Sequence, residues 1–323
     1  DMKLATFATR EDPTPRVGVV TSGDSAVVDL ASAFTEAGFD PRPVASMQDL
    51  IEGGADLLAK VRTAIAAYSG ETVPIAAAKL FAPLPRPVQM RDCMCFEEHL
   101  VGSSQAAMRL AGLTAPPERS RRMHEVFKLR PIYYKANRFA VVGHDAEIHW
   151  PPYSKLMDYE LEMGCVIGTT GRDISREDAR SHIFGFTIFN DFSARDTQGM
   201  EMESGLGPSK SKDFDNANVL GPWIVTIDEF YPDDAAMTVR VNGEVRSSGR
   251  SNTMTVKFED LIAFISTSET LHAGEILGSG TVGGGCGLEA GKLLADGDVI
   301  ELEIEGIGVL RNKVFAARNG DKK

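Results

Sequence analysis

The sequence predicts a β-rich α+β protein built in two parts. Short apolar runs of strand length dominate from Ile132 onward, and glycine is dense at 31 of 323 residues, as tight turns between short strands require. The few stretches of helical period do not alternate with strands as a doubly wound sheet demands. Ala82-Pro-Leu-Pro-Arg-Pro87 forbids helix and favours an extended linker, which sets a small α+β unit, residues 1–88, before a larger unit, residues 89–323.

The first unit opens with three apolar runs, at Lys3, Arg16 and Ala26, and a Ser22-Gly23-Asp24 turn makes the last two a hairpin. From Met47 to about Tyr68 the period changes, with Leu50, Ile51, Leu57, Leu58, Val61 and Ile65 on one helical face. Beyond the linker, Phe96 to Leu110 reads as helix and Thr114–Ser120 as a loop broken by Pro116-Pro117. Strands are expected at 139–142, 158–168, 184–190, 222–227, 236–241, 298–304 and 307–315. Helices are expected near 176–182, where Ser175 and Asp178 form a capping-box pattern, and near 258–267.

Lys plus Arg total 34 against 46 acids, a formal charge of −12. Such a chain repels phosphate backbones and carries no basic stripe, which argues against nucleic-acid and anionic-membrane partners. No apolar run approaches the roughly 18 residues of a membrane span. Cys93, Cys95, Cys165 and Cys286 contain no C-x-x-C pair, so reduced thiols are expected rather than a disulfide framework or a zinc site. Asp1 ahead of Met2 reads as an appended residue, no secretory signal is visible, and the simplest address is the cytoplasm.

The acids themselves hold the chemical signal. In Asp158-Tyr-Glu-Leu-Glu-Met-Gly-Cys-Val-Ile167, the period of two puts Glu160 and Glu162 on one strand face. An E-x-E pair ordinarily marks a solvated face, but the residues after it are small or apolar, so this strand runs into a core where charges need a counterion. Asp191 ends another apolar run, Ile183 to Asn190, and can complete an oxygen site. Three carboxylates without His or Cys suit Mg²⁺, Mn²⁺ or Ca²⁺ rather than zinc.

Glu160-x-Glu162, Asn190-Asp-Phe-Ser-Ala-Arg-Asp-Thr-Gln198, Gly207-Pro-Ser-Lys-Ser-Lys-Asp-Phe214 and Gly278-Ser-Gly-Thr-Val-Gly283, in that order, resemble the signature of the fumarylacetoacetate hydrolase family across roughly residues 90–315. The resemblance implies a mixed β-sandwich roll, a divalent metal on Glu160, Glu162 and Asp191, a homodimer and a place in aromatic-compound catabolism. It extends to Asp92 as a fourth acidic ligand, His99 as catalytic histidine and Glu289 as the acid that orients it. It makes Lys212 a stabiliser of developing negative charge, with Arg195, Gln198 and Thr281 holding substrate. Met94 stands where the hydrolases proper carry a substrate-binding tyrosine, which leaves the substrate's side chain open.

Gly278-x-Gly280-x-x-Gly283 also fits a dinucleotide fingerprint, but Gly283-Gly-Gly-Cys-Gly287 follows where that mechanism needs a helix start. The leading expectation is therefore a metal-dependent hydrolase cleaving a C–C bond of an acylpyruvate or β-diketone, with Mg²⁺ or Mn²⁺ and a dicarbonyl or 2-oxo acid substrate. A decarboxylase, tautomerase or hydratase of 2-oxo acids is the alternative, and a non-catalytic domain with a structural cation the third reading.

Overall fold

In the computed structural model, which describes residues 2–317 and so leaves out Asp1, the apolar runs become two packed sheets. The main path of the larger sheet runs Val73–Pro74, Ala26–Asp29, Arg16–Val20, Lys3–Ala8, Asn218–Thr226, Ile183–Asp191, Leu161–Ile167, Ile276–Gly278, Met90–Cys93, Tyr133–Lys135. The smaller sheet runs Glu244–Arg250, Ala236–Val241, Val299–Ile304, Gly308–Phe315, Glu147–His149. Most neighbours are antiparallel, but Met90–Cys93 lies parallel to Ile276–Gly278 and Glu147–His149 parallel to Gly308–Phe315, so both sheets are mixed. The order is open at both ends, without a closed barrel among the described residues.

Burial patterns follow from the layering. Ala236–Val241 and Val299–Ile304 alternate, and their buried Met237, Val239, Ile300 and Leu302 share a core with Leu161, Met163, Phe186 and Ile188 of the larger sheet. Leu161–Ile167, Ile183–Asp191 and Asn218–Thr226 are buried at every position. Their second face is covered by N-terminal helices, where Phe34, Leu50, Ile51 and Val61 pack with Val166, Phe184 and Ile224. Strands covered on both faces read as continuous apolar runs, and a carboxylate inside one is withdrawn from bulk water.

Several local expectations change. The Met47–Tyr68 helix is two helices, Met47–Glu52 and Gly54–Ala67, and Gly54 at the break has φ +61°. Helix Leu30–Glu36, not foreseen, starts where Asp29 accepts the Ser32 N–H at 2.9 Å. The Thr114–Ser120 loop ends early, because helix Glu118–Leu129 begins directly after Pro117. The strand placed at 139–142 shrinks to Val141–Val142 behind a 3₁₀ turn, Arg138–Ala140. The helix near 176–182 is a 3₁₀ turn, Ala179–His182, although Ser175 Oγ does accept the Asp178 N–H. Lys3–Ala8 pairs with Asn218–Thr226, so the larger sheet is continuous across the proline-rich segment. All four cysteines are free and buried. Among the described residues, no helix is long and apolar enough to cross a membrane.

Candidate metal centre and active site

Strand register gathers four acids at one end of the larger sheet. Leu161 pairs with Asn190, so Glu162 at the start of one strand, and Glu160 just ahead of it, meet the end of the next, with Asp191. Gly278 pairs with Asp92 on one side and with Gly164 on the other. A Cβ on Gly278 would lie 2.8 Å from Asp92 Oδ1 and 2.9 Å from Glu162 Oε2, so only glycine lets these carboxylates approach across the middle strand. Asp92, Glu160, Glu162 and Asp191 are all buried, and each offers an oxygen within 4.8 Å of the others'.

Their charge is only partly balanced. Lys212 Nζ donates to Glu160 Oε2 at 2.7 Å and to Asp191. Arg195 Nη1 lies 2.8 Å from Glu160 Oε1, while its Nε donates to Asp158 at 2.8 Å. Burial, then the neighbouring Asp92 charge, pushes the Glu162 carboxyl well above the ordinary range. Burial does the same to Asp191 and raises Asp92. Glu160 moves the other way: burial would raise it, but Lys212 and Arg195 prevail and hold it far down. Asp92 Oδ1, Glu162 Oε1 and Asp191 Oδ1 are buried without hydrogen-bond partners. An all-carboxylate set with orphaned oxygens and surplus negative charge fits a hard divalent cation.

Stability should respond accordingly. Carboxyls raised above their unfolded values near 4 contribute stability at low pH that is lost as pH rises through the folded values. Chelated protein should therefore melt progressively lower from pH 5 to pH 8. Mn²⁺ at about 100 times its Kd should raise the midpoint by about 5 °C or more, with the larger gain at pH 8, as read by calorimetry.

A second constellation shares the cavity. His99, in the first turn of helix Glu97–Ala111, holds Glu289 through Nδ1 at 2.7 Å. Glu289 also accepts the Gly284 N–H at 3.2 Å and the Cys286 thiol at 3.2 Å. A Cβ on Gly102 would sit 2.3 Å from Glu289 Oε1, so this glycine clears the carboxylate's path to the histidine. Because the carboxylate accepts from Nδ1–H, Nε2 carries the free lone pair. His99, Asp92, Glu160, Glu162, Lys212, Arg195, Gln198 and Thr281 all line one cavity of about 480 Å³. Asp191 stands behind its wall through Lys212, and Glu289 behind it through His99. Gln198 Oε1 accepts from Arg195 at 2.9 Å, which leaves its amide N–H groups unspent, and Thr281 Oγ1 is buried without a partner.

Two residues of the site were not singled out from sequence. Asp158 fixes Arg195 and accepts the Gly287 and Leu288 N–H groups at 2.7 and 2.9 Å, anchoring the turn that presents Glu289. Tyr134, opposite Asp92 in the sheet, donates its hydroxyl to Asp191 Oδ2 at 2.7 Å and lines the same cavity. Asp158 had a signal, an acid two residues before Glu160, although it ends a separate strand, Met157–Asp158; Tyr134 had none. In the glycine fingerprint, Gly280 N–H donates to Glu162 Oε2 at 3.0 Å, so the loop serves the acids.

Known proteins resemble this chain along most of its length. The family model described as fumarylacetoacetate (FAA) hydrolase C-terminal matches residues 95–315. Human oxaloacetate tautomerase FAHD2A, mitochondrial, is 32% identical over 316 residues, covering 97% of this chain and 92% of that protein. Rat oxaloacetate tautomerase Fahd2a, mitochondrial, is 33% identical with the same coverage. Among solved structures, the fumarylacetoacetate hydrolase EaFAH of Exiguobacterium antarcticum superposes with TM-score 0.73 and 27% identity, covering 98% of this chain and all of that one. Maleylpyruvate hydrolase from Sphingobium sp. SYK-6, in complex with manganese(II) ion and pyruvate, shares the fold with TM-score 0.72 at 23% identity, over 98% of this chain and 100% of its own.

Proposed function

This chain belongs to the fumarylacetoacetate hydrolase family of enzymes, and from that premise we propose that it moves a proton between carbon and oxygen of a short 2-oxo acid of the oxaloacetate type, a metal-dependent tautomerase. The observation that carries the reading is the His99–Glu289 pair opening on the same cavity as the carboxylate cluster. The relatives named for oxaloacetate tautomerase match nearly the whole chain, which moves enolisation ahead of hydrolysis.

Asp92, Glu160, Glu162 and Asp191 would hold the cation, Mg²⁺ or Mn²⁺ with Ca²⁺ also admitted, which when bound supplies a Lewis acid beside the 2-oxo group. His99 Nε2 takes the proton from the carbon next to the carbonyl and returns it to the enol oxygen, so the proton count closes without water. The imidazolium formed in between is stabilised by Glu289 across the 2.7 Å contact. Lys212 has three N–H groups and spends two on Glu160 and Asp191, so one remains to offset enolate charge. The free Gln198 amide and the Thr281 hydroxyl orient substrate, and Arg195 keeps Gln198 and Glu160 in place.

C–C hydrolysis of an acylpyruvate or β-diketone is the second reading, because a histidine held by a carboxylate is also what water activation needs. The seam between residues 1–88 and 89–323, a cytoplasmic homodimer, a role in aromatic-compound catabolism and the absence of nucleic-acid or membrane partners belong to the same proposal. Incubation of Mn²⁺-loaded protein with oxaloacetate and with acylpyruvates, followed by product identification, separates the readings. Keto–enol exchange of oxaloacetate with acylpyruvates left whole is the expected result. Cleavage of an acylpyruvate into two acids favours hydrolysis, and inertness toward both substrate types removes both readings.

A further inference from the structure

A dicarboxylate such as oxaloacetate brings a second carboxylate, distal to the 2-oxo acid group, that the metal centre does not need. Burying it against Leu100, Leu110, Met123 and Leu288, which form much of the cavity wall, would be costly without a cation. Among the described lining residues, the cavity has three Lys or Arg side chains: Arg119, Arg195 and Lys212. Arg195 is committed to Asp158, Glu160 and Gln198, and Lys212 to Glu160 and Asp191, all inside the site.

Arg119 is different. It stands on helix Glu118–Leu129, and its one ion pair among the described residues is with Glu203 of helix Arg195–Glu203, the two side chains being 38% and 77% exposed. Arg119 Nη1 lies 3.1 Å from Glu203 Oε1, yet this buried nitrogen has no partner in hydrogen-bond geometry. An exposed pair of this kind is worth little, whereas a guanidinium and a carboxylate enclosed together form a strong forked pair.

We infer that Arg119 is the specificity residue that binds the distal carboxylate of a 2-oxo dicarboxylate, exchanging Glu203 for substrate. The assignment rests on the 2-oxo acid reading of the site. It makes helix Glu118–Leu129 part of the substrate wall and explains how a cavity whose other cations are paired with the site's own acids can accept a doubly charged ligand.

Calorimetric titration of the Mg²⁺-loaded full chain with oxaloacetate and with 2-oxobutyrate, which carries a methyl in place of the distal carboxylate, tests it. The wild type should bind oxaloacetate at least about tenfold more tightly, the size of one charged hydrogen-bonded pair. Arg119→Gln should erase that preference and leave 2-oxobutyrate binding unchanged; Glu203→Gln, which frees Arg119, should strengthen oxaloacetate binding alone. A preference that survives Arg119→Gln, equal weakening of both ligands, or no preference in the wild type overturns the inference while metal-dependent 2-oxobutyrate binding keeps the 2-oxo acid reading standing. If 2-oxobutyrate shows no metal-dependent binding to any variant, the 2-oxo acid reading falls and this assignment with it.

Discussion

His99→Ala is expected to lower kcat by roughly 10²- to 10⁴-fold, the range a positioned general base contributes, while the metal affinity stays within about twofold of wild type. The separation follows from position. His99 sits on a helix outside the carboxylate strands, and its hydrogen bond goes to Glu289 rather than to any of the four clustered acids. Alanine suits the first turn of that helix, and Glu289 retains the Gly284 N–H and the Cys286 thiol, so the local fold survives the change. Steady-state kinetics beside a metal titration check both halves. A variant with near-wild-type turnover would remove His99 from the chemistry, whatever the metal does.

Glu162→Gln should act in the opposite pattern. Burial and the Asp92 charge push the Glu162 carboxyl well above the ordinary range, and its Oε1 has no partner. The amide takes away one anionic ligand, so metal affinity should fall by more than about 100-fold, beyond the loss typical of an outer hydrogen-bond partner, and turnover should fall with it. The same change relieves like-charge repulsion in the metal-free protein. The carboxyl's folded pKa lies above its unfolded value, so at neutral pH keeping it in place opposes folding. Chelated Glu162→Gln protein should therefore melt at or above the chelated wild type and gain nothing from Mn²⁺. Calorimetry with and without chelator reads both effects; a chelated variant that melts well below wild type would show that the carboxylate is a structural anchor instead.

What could be read from sequence was what local pattern controls. Glu160 and Glu162 were legible because strand period two aligns them and the following residues are apolar; Asp191 was legible because it ends a run that is buried throughout. Asp92 and Glu289 came only through resemblance, since nothing local distinguishes them. Asp158 acts through the Gly287 N–H, 129 positions away, so its nearness to Glu160 hints at the site but not at this role, and Tyr134 reaches Asp191 from a different strand without a local trace. Helix Glu118–Leu129 escaped because Phe127 is its only buried residue, which gives almost no apolar period to detect. The pairing of Lys3–Ala8 with Asn218–Thr226 is likewise a long-range fact, and it carries the sheet across a segment whose prolines suggest only a linker.

Joint action of metal centre and base on one enolisable substrate is the central expectation. Deuterium exchange at the methylene carbon of oxaloacetate, followed by NMR in D₂O, tests that most directly, with free Mn²⁺ as the background. The Mn²⁺-loaded wild type should exchange well above that background, and His99→Ala and Glu162→Gln should each fall back to it. Exchange at the wild-type rate in either variant, or no exchange above free metal in the wild type, would contradict the account.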